Sequence, residues 1–256
     1  RRWILIDVGV TFGGDDTPGI DLITPDPAFL EDQGDNIDAI FLTHAHEDHV
    51  GAVAHMYGKL GVPVYARAFT AHIARLKFEE HGHDPKNVKT VSAWPETRRH
   101  GPFEVGFAPV SHSIPESAGL CIDSPDGRVL HTGDFKIDET PVVGDPFDAD
   151  LWAEVSRDGV KALVCDSTNI FSDHPGRSEA SVRALAQDLV TRIGKHPFNI
   201  GKRTARTSIC SGVCMLSSQL ADAGATIALA ERACRPEKLA GDAGSPKATK
   251  KAESLP

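Results

Sequence analysis

Thr43-His44-Ala45-His46-Glu47-Asp48-His49-Val50-Gly51 constrains this chain more than any other stretch, because four side chains able to bind a metal fall within six residues: His44, His46, Asp48 and His49. An apolar β-type run, Ile37-Asp38-Ala39-Ile40-Phe41-Leu42, leads directly into them. Imidazole and carboxylate on a strand-to-helix loop are the donor set for zinc or a similar divalent ion. His44 and His46, at alternate positions on the loop, can face one ion. Asp48 and His49, where the chain turns into a helix, can face a second. Two ions about 3.5–4 Å apart would activate a water and clamp the oxygens of a hydrolytic displacement. The competing reading is a solvated polar loop whose histidines cap the next helix. Motifs with a definite ligand spacing are rare, which weighs against it.

The pattern of an apolar strand ending in His or Asp recurs. Trp3 to Val8 is apolar with Asp7 near its end, where Asp7 reads either as a turn-former before Gly9 or as a carboxylate delivered to a loop. Phe103 to Val110 alternates toward Ser111-His112. Leu120 to Asp123 and Arg128 to Thr132 flank the turn residues Ser124-Pro125-Asp126-Gly127 as a hairpin, whose second strand leads to Gly133-Asp134. Val160 to Cys165 is another apolar strand, ending at Asp166-Ser167. Between these, Val50, Val53, Tyr57 and Leu60 keep helical spacing up to Gly61-Val62-Pro63, and Ala71 to Glu80 reads as a second helix after the short strand Val64-Tyr65-Ala66. Gly13 to Pro27 is a loop without periodicity. Strands interleaved with helices, plus a hairpin, specify an α/β layered fold with a mixed sheet. Donors at strand ends are held by rigid elements, as metal chemistry requires. Taken alone, His112 is a loop histidine and Gly133-Asp134 a turn. Beside a cluster still short of a third nitrogen and a bridging carboxylate, both become candidates. His55, His72, His81, His83 and His100 lack ligand spacing and read as helical or surface histidines; His131 packs or hydrogen-bonds on its strand, and His174 has no role.

With 256 residues, 40% of them apolar, the chain can bury a sizeable core as one domain, or one and a part. No apolar run approaches bilayer length and no signal peptide opens the sequence. The opening Arg1-Arg2-Trp3-Ile4-Leu5-Ile6 reads as a strand already under way, hence a clipped start. Five cysteines without a C-x-x-C pair favour reduced thiols in the cytoplasm, and Cys121 and Cys165, in apolar runs, read as small core residues. Residues 1–191 hold 16 Lys and Arg against 31 Asp and Glu, the remainder 11 against 5. An acidic body argues against broad non-specific nucleic-acid binding, while leaving room for a carboxylate-rich metal site and a local basic channel.

H-A-H-E-D-H after an apolar strand resembles the H-x-H-x-D-H motif of the metallo-β-lactamase fold. Its surroundings resemble ribonuclease J, of the β-CASP branch, in Asp7 to Gly13, Pro25 to Phe29, Leu42 to Val53, Ser111 to Ser117, His131 to Lys136 and Asp166 to Asn169. The resemblance covers about residues 3–190. It implies an αββα sandwich in which His44, His46 and His112 hold one ion, Asp48 and His49 a second, and Asp134 bridges the two. Asp7 and Asp166 would orient metal-site histidines, and the carboxylates of Asp48, Asp134 and Asp166 would take part in catalysis. Ser167 and Asn169 would hold substrate phosphate, although turn-forming Ser and Asn explain them equally well. Two divalent ions are implied: zinc suits the imidazoles, and manganese or magnesium suits a carboxylate-rich second position. The implied reaction is hydrolysis of single-stranded RNA by a metal-bound hydroxide, from a 5′-monophosphate end with some internal cleavage, by a homodimer or tetramer.

By the same resemblance, residues 1–177 form the metallo-β-lactamase-like domain, residues 178–196 begin a β-CASP-like insertion, and residues 197–256 are an atypical, poorly ordered tail. No later segment supplies the histidine that such proteins return to the second ion; His196 precedes the insertion. The tail matches neither the family pattern nor an amphipathic template, so it reads as out of frame, which puts this chain's activity in question. Other readings of the cluster are a thioester, lactone or lactam hydrolase of the same fold, and an inactive metal-binding fragment. A di-iron redox protein is disfavoured, because that branch has Glu where this chain has His46.

Overall fold

The computed structural model describes residues 1–173, 176–195, 197–200 and 203–206. In chain order the elements are β1 (Trp3–Ile6), β2 (Thr11–Phe12), β3 (Leu22–Ile23), α1 (Ala28–Gln33), β4 (Ile37–Leu42), α2 (Glu47–Val50), α3 (Val53–Leu60), β5 (Val64–Ala66), α4 (Ala68–Glu80), β6 (Val88–Thr90), β7 (Thr97–His100), β8 (Phe103–Pro109), β9 (Ala118–Ser124), β10 (Gly127–His131), α5 (Ala149–Ser156), β11 (Ala162–Val164), α6 (Glu179–Lys195), β12 (Pro197–Ile200) and β13 (Arg203–Arg206). The residues divide into two units inside α6, between Leu189 and Val190. In the second unit, β12 and β13 pair antiparallel. The expectations for His174, for His196 and for the tail beyond Arg206 lie outside the described residues.

The first unit is built on two sheets. One is parallel throughout, in the order β1-β4-β5-β6; the other is mixed, in the order β11-β10-β9-β8-β7. β4 shows why they stack. Its alternate residues Ile40 and Leu42 pack with Val50, Val53 and Met56 of the metal-loop helices and with Ala71, Ala74 and Phe78 of α4. Ala39 and Phe41, on its other face, pack with Val105 and Phe107 of β8 and with Ala118, Leu120 and Ile122 of β9. A strand buried on both faces must be apolar at nearly every position, which is how Ile37–Leu42 reads. On the outer face of the mixed sheet, Cys121 and Leu130 pack with Val155, Leu151 and Trp152 of α5. The layers are therefore helix, sheet, sheet, helix, as expected. Among the described residues no helix is long and apolar enough to cross a membrane.

Several boundaries depart from the sequence reading. β1 stops at Ile6 because Asp7 takes a left-handed backbone, φ 56°. The expected single helix after the metal loop is two, α2 and α3, because the Ala52 N–H leaves the helical ladder to donate to Val8 O at 2.9 Å. Gly61 ends α3 with φ 64°, as its sequence position predicts. The Gly13–Pro27 loop carries one strand of a two-stranded ribbon, β2 with β3, whose exposed residues show no alternation to read.

The largest correction concerns Cys165, read as a small core residue at the end of the apolar strand Val160 to Cys165. Among the described residues β11 is an edge strand paired only with β10: Leu163 is 60% exposed, Val164 50%, and Cys165 is exposed. Apolar composition established that it is a strand, but coverage of its face depends on neighbours absent among the described residues. Cys121 is the buried core thiol expected, and burial pushes its pKa up to about 11. Of the histidines read as superficial, His72, His83 and His100 are half-buried. His83 contacts Ala54 O through Nε2 at 3.1 Å, and His100 packs against Tyr65 and Phe41, with ring centroids 4.6 and 5.8 Å away.

Candidate metal centre

Strand ends from both sheets converge at one place. From the parallel sheet, β4 runs into Thr43 and His44, both buried, and then into His46, the residue before α2. Backbone bonds fasten this segment to the loop after β1: Val8 N–H to His49 O at 2.7 Å and Val10 N–H to Glu47 O at 2.9 Å. Gly9 makes that approach possible, since a Cβ there would collide with the Asp48 carbonyl. From the mixed sheet, β8 leads to His112 and β10 leads to Asp134 through Gly133, whose φ of 59° turns the chain beside Thr43.

The donor atoms meet closely. His46 Nδ1 lies 3.0 Å from His44 Nε2 and 3.1 Å from His112 Nε2. One ring nitrogen has a single proton or a single lone pair to offer the two neighbours, so the spacing suits three nitrogens sharing one ion better than a pair of hydrogen bonds. Four-coordinate zinc with nitrogens at about 2.0–2.1 Å holds its donors about 3.3 Å apart, close to this spacing. A second group joins His44, His49 and Asp134; within each group the donor atoms lie within 4.8 Å of one another. Asp134 spans the two, its Oδ1 3.4 Å from His49 Nε2 and its Oδ2 4.0 and 3.9 Å from the Nε2 atoms of His44 and His112. Asp48 stands apart from both groups, at 3.7 Å from His49 Nε2, with an exposed side chain. The donor set fits divalent ions. His46 makes no side-chain capping bond to α2, so the alternative reading of its imidazole as a helix cap does not apply.

A chain of polar contacts sets which ring nitrogen is available. Asp7 accepts from Thr43 N–H at 2.7 Å, from the Thr43 hydroxyl at 2.8 Å and from His49 Nδ1 at 2.8 Å. With its proton given to Asp7, the Thr43 oxygen accepts from His44 Nδ1 at 3.0 Å. Both imidazoles then carry Nδ1–H and turn bare Nε2 atoms toward the centre, as histidine ligands supported by a carboxylate do. Asp7, expected to orient a metal-site histidine, is in contact with His49 Nδ1. Thr43, its intermediary, is what the sequence reading missed; a hydroxyl directly before the first histidine was the available signal. His131 Nδ1 accepts from Gly133 N–H at 3.0 Å and fixes the Asp134 turn rather than facing the centre. Asp166 accepts from Thr168 N–H at 2.8 Å and the Thr168 hydroxyl at 2.7 Å, the first of these being the main reason its pKa is held low; it also lies near enough to His112 to feel its charge. Ser167 and Asn169 are exposed on the turn that follows.

Burial dominates the histidine electrostatics. It pushes His44 down to about 2 and lowers His112 and His131, with neighbouring imidazoles adding to the effect. For His49 burial also opposes protonation, but the hydrogen bond and charge of Asp7, with Asp134 and Asp48, outweigh it and raise the pKa. The linkage signs are opposite. The lowered histidines stabilise the fold above their ordinary value of about 6.5, and that stability is lost as pH falls below it. His49 contributes below about 6.5 and loses its contribution as pH rises through its folded value. His55 and His100 are lowered as well, again by burial first, so five lowered histidines against one raised leave a net loss on acidification. The chelated protein should lose on the order of 1–2 kcal/mol of stability per pH unit below 6.5. Thermal melts at pH 7.5, 6.5 and 5.5 in a chelating buffer measure this; an unchanged or rising melting temperature at pH 5.5 would contradict it.

The description of a beta-lactamase superfamily domain matches residues 2–179. Curated proteins named ribonuclease J are similar to the same region. The one from Sinorhizobium meliloti is 42% identical over 208 residues, covering 79% of this chain and 37% of that protein. That from Mycolicibacterium smegmatis is 42% identical over 178 residues, covering 69% and 31%. That from Corynebacterium glutamicum is 39% identical over 191 residues, covering 74% and 26%. The chain spans about a third of the length of these relatives.

Proposed function

The chain belongs to the beta-lactamase superfamily, and on that premise we propose that it is the metal-bearing portion of a ribonuclease J-like hydrolase of single-stranded RNA. The reaction is cleavage of phosphodiester bonds, releasing nucleotides from a 5′-monophosphorylated end with some internal cleavage. The observation that carries this reading is the shared Asp134 carboxylate between a three-imidazole group and His49. Two divalent ions bound there would supply Lewis acidity at the scissile phosphate and lower the pKa of a water toward neutrality.

The remaining work belongs to the chain. His44, His46 and His112 would hold one ion and His49 the second, with Asp134 common to both; the exposed Asp48, 3.7 Å from His49 Nε2, would have to turn inward to join the second. Asp7, through Thr43 and directly, fixes the proton of neutral His44 and His49 on Nδ1, so that Nε2 is the atom aimed at the centre. Asp166 holds the Thr168 turn on which Ser167 and Asn169 offer hydroxyl and amide groups to a phosphate. A polyanionic substrate has little reason to approach a protein of formal charge −9 without cations at the site, so chelation should stop both binding and turnover. The free thiols of Cys121 and Cys165 accord with a cytoplasmic setting.

The test offers the zinc- or manganese-loaded chain a 5′-monophosphorylated RNA oligonucleotide, with chromogenic thioester, lactone and lactam substrates in parallel. The expected outcome is release of 5′-nucleotides that stops on chelation. Turnover of a thioester, lactone or lactam with RNA left intact would replace this reading with another hydrolase of the fold.

A further inference from the structure

Among the described residues, only two other than glycine have a left-handed backbone, Asp7 at φ 56° and Glu116 at φ 55°. Such conformations cost on the order of 1–3 kcal/mol and persist where surrounding contacts enforce them. Asp7 is accounted for by its three bonds at the metal centre. Glu116 lies four residues past His112 and has no part in the site as described so far.

Its surroundings show what it holds. The segment from Ser111 to Ser117 is a closed loop: Val110 N–H bonds Ser117 O at 3.1 Å across its base, and the next residue, Ala118, donates to Thr43 O at 3.1 Å. The loop therefore hangs from the carbonyl directly before His44. At its start the Ser111 carbonyl accepts from Lys136 N–H at 2.9 Å, but the buried hydroxyls of Ser111 and Ser117 make no hydrogen bond and do not fasten the reversal between them. The Glu116 carboxylate does. One oxygen accepts from Phe69 N–H, in the first turn of α4, at 2.5 Å; the other faces Arg67 Nη2 at 3.7 Å. Arg67, its side chain only 13% exposed, also donates to Asp145 at 2.9 Å. The neighbouring Gly144 backs onto the loop so closely that a Cβ there would lie 3.1 Å from Ile114 O and 3.6 Å from His112 O. Three segments, after β5, after β8 and before α5, are thus tied around the chain that carries His112.

We propose that Glu116 is a positioning residue: by fastening the reversal of the His112 loop to α4 and Arg67, it sets His112 Nε2 against His44 and His46, and so determines the affinity of that group for its ion. This rests on the reading of the three imidazoles as a metal site. It places part of the centre's precision in a contact that touches no donor.

The test measures zinc affinity of the full chain by competition with a chromophoric chelator, together with melting of the zinc-free protein. Glu116→Gly removes both carboxylate contacts while leaving the backbone free to keep φ near 55°; Glu116→Gln retains an acceptor for Phe69 N–H but not the charge facing Arg67. Zinc affinity is expected to fall about 10–100-fold in Glu116→Gly, as for lost supports of metal ligands, and by less in Glu116→Gln. The zinc-free melting temperature should stay within about 3 °C, the shift a change near 1 kcal/mol brings in a chain of this size. Affinities of both variants within twofold of the parent would overturn the proposal, as would a loss of affinity that tracks unfolding of the zinc-free protein. If the parent itself bound no zinc, the reading of the site would fail instead.

Discussion

His46→Ala is expected to abolish occupancy of the three-imidazole position and to lower RNA hydrolysis by about 1000-fold or more, on the order of 4 kcal/mol of transition-state stabilisation. His46 Nδ1 is the atom that both other imidazoles approach, at 3.0 and 3.1 Å, so its removal leaves two donors where three are needed. The fold should be little affected. His46 is half-buried, makes no capping bond to α2, and precedes a helix tied down by backbone bonds to Val8 and Val10. Metal content by mass spectrometry and a nuclease assay on the same preparation read the two effects separately. Nuclease activity unaffected by the substitution would exclude this site from the reaction.

Asp7→Ala should be the most damaging single change near the centre for stability. Three donors lose their acceptor at once: Thr43 N–H, the Thr43 hydroxyl and His49 Nδ1–H. The side chain is only 12% exposed, so water replaces it poorly. A cost of about 3–5 kcal/mol follows, because donors are left buried and a partly buried ion pair is broken from one side. In a chain of this size that lowers the melting temperature by roughly 10 °C. Zinc affinity should fall about 10–100-fold as well, because the His49 ring loses its orientation. Asp7→Asn separates the two consequences. Asn tolerates the left-handed backbone and keeps an acceptor for Thr43 N–H, so most of the stability returns. It lacks the charge that favours Nδ1–H on His49, so the affinity does not. Asp7→Asn binding zinc as tightly as the parent would show that Asp7 does not orient His49.

What could be read in the sequence followed the distance over which each feature is encoded. His44, His46, Asp48 and His49 are neighbours, and their spacing carries its own geometry. His112 and Asp134 were reachable because each ends an apolar strand, and ligand chemistry still required a nitrogen and a bridging carboxylate. Asp134 also pairs with His44, while Asp48 stands apart, which only side-chain directions reveal. Thr43 escaped notice because its role depends on which way one hydroxyl points. Glu116 and Arg67 escaped because a left-handed non-glycine residue has no sequence signature, and because their contact joins segments 49 residues apart. The split of α2 from α3 was hidden by apolar spacing that continues across it, whereas its cause is the Val8 carbonyl on another element. β11 shows the limit from the other side: apolar, β-branched composition identifies a strand, but not what lies over it.

His44, His46 and His49 arrive from the parallel sheet, His112 and Asp134 from the mixed one. An ion seated among them is therefore a rivet through both plates of the sandwich, and it can be gripped only while the plates are docked. Separating the layers therefore requires giving up the cation, so the work of separation includes the work of its release. Free zinc at 100 times its dissociation constant would add about 2.7 kcal/mol to the work of prising them apart. The melting temperature of this protein should then report the metal concentration of its surroundings as directly as the quality of its core.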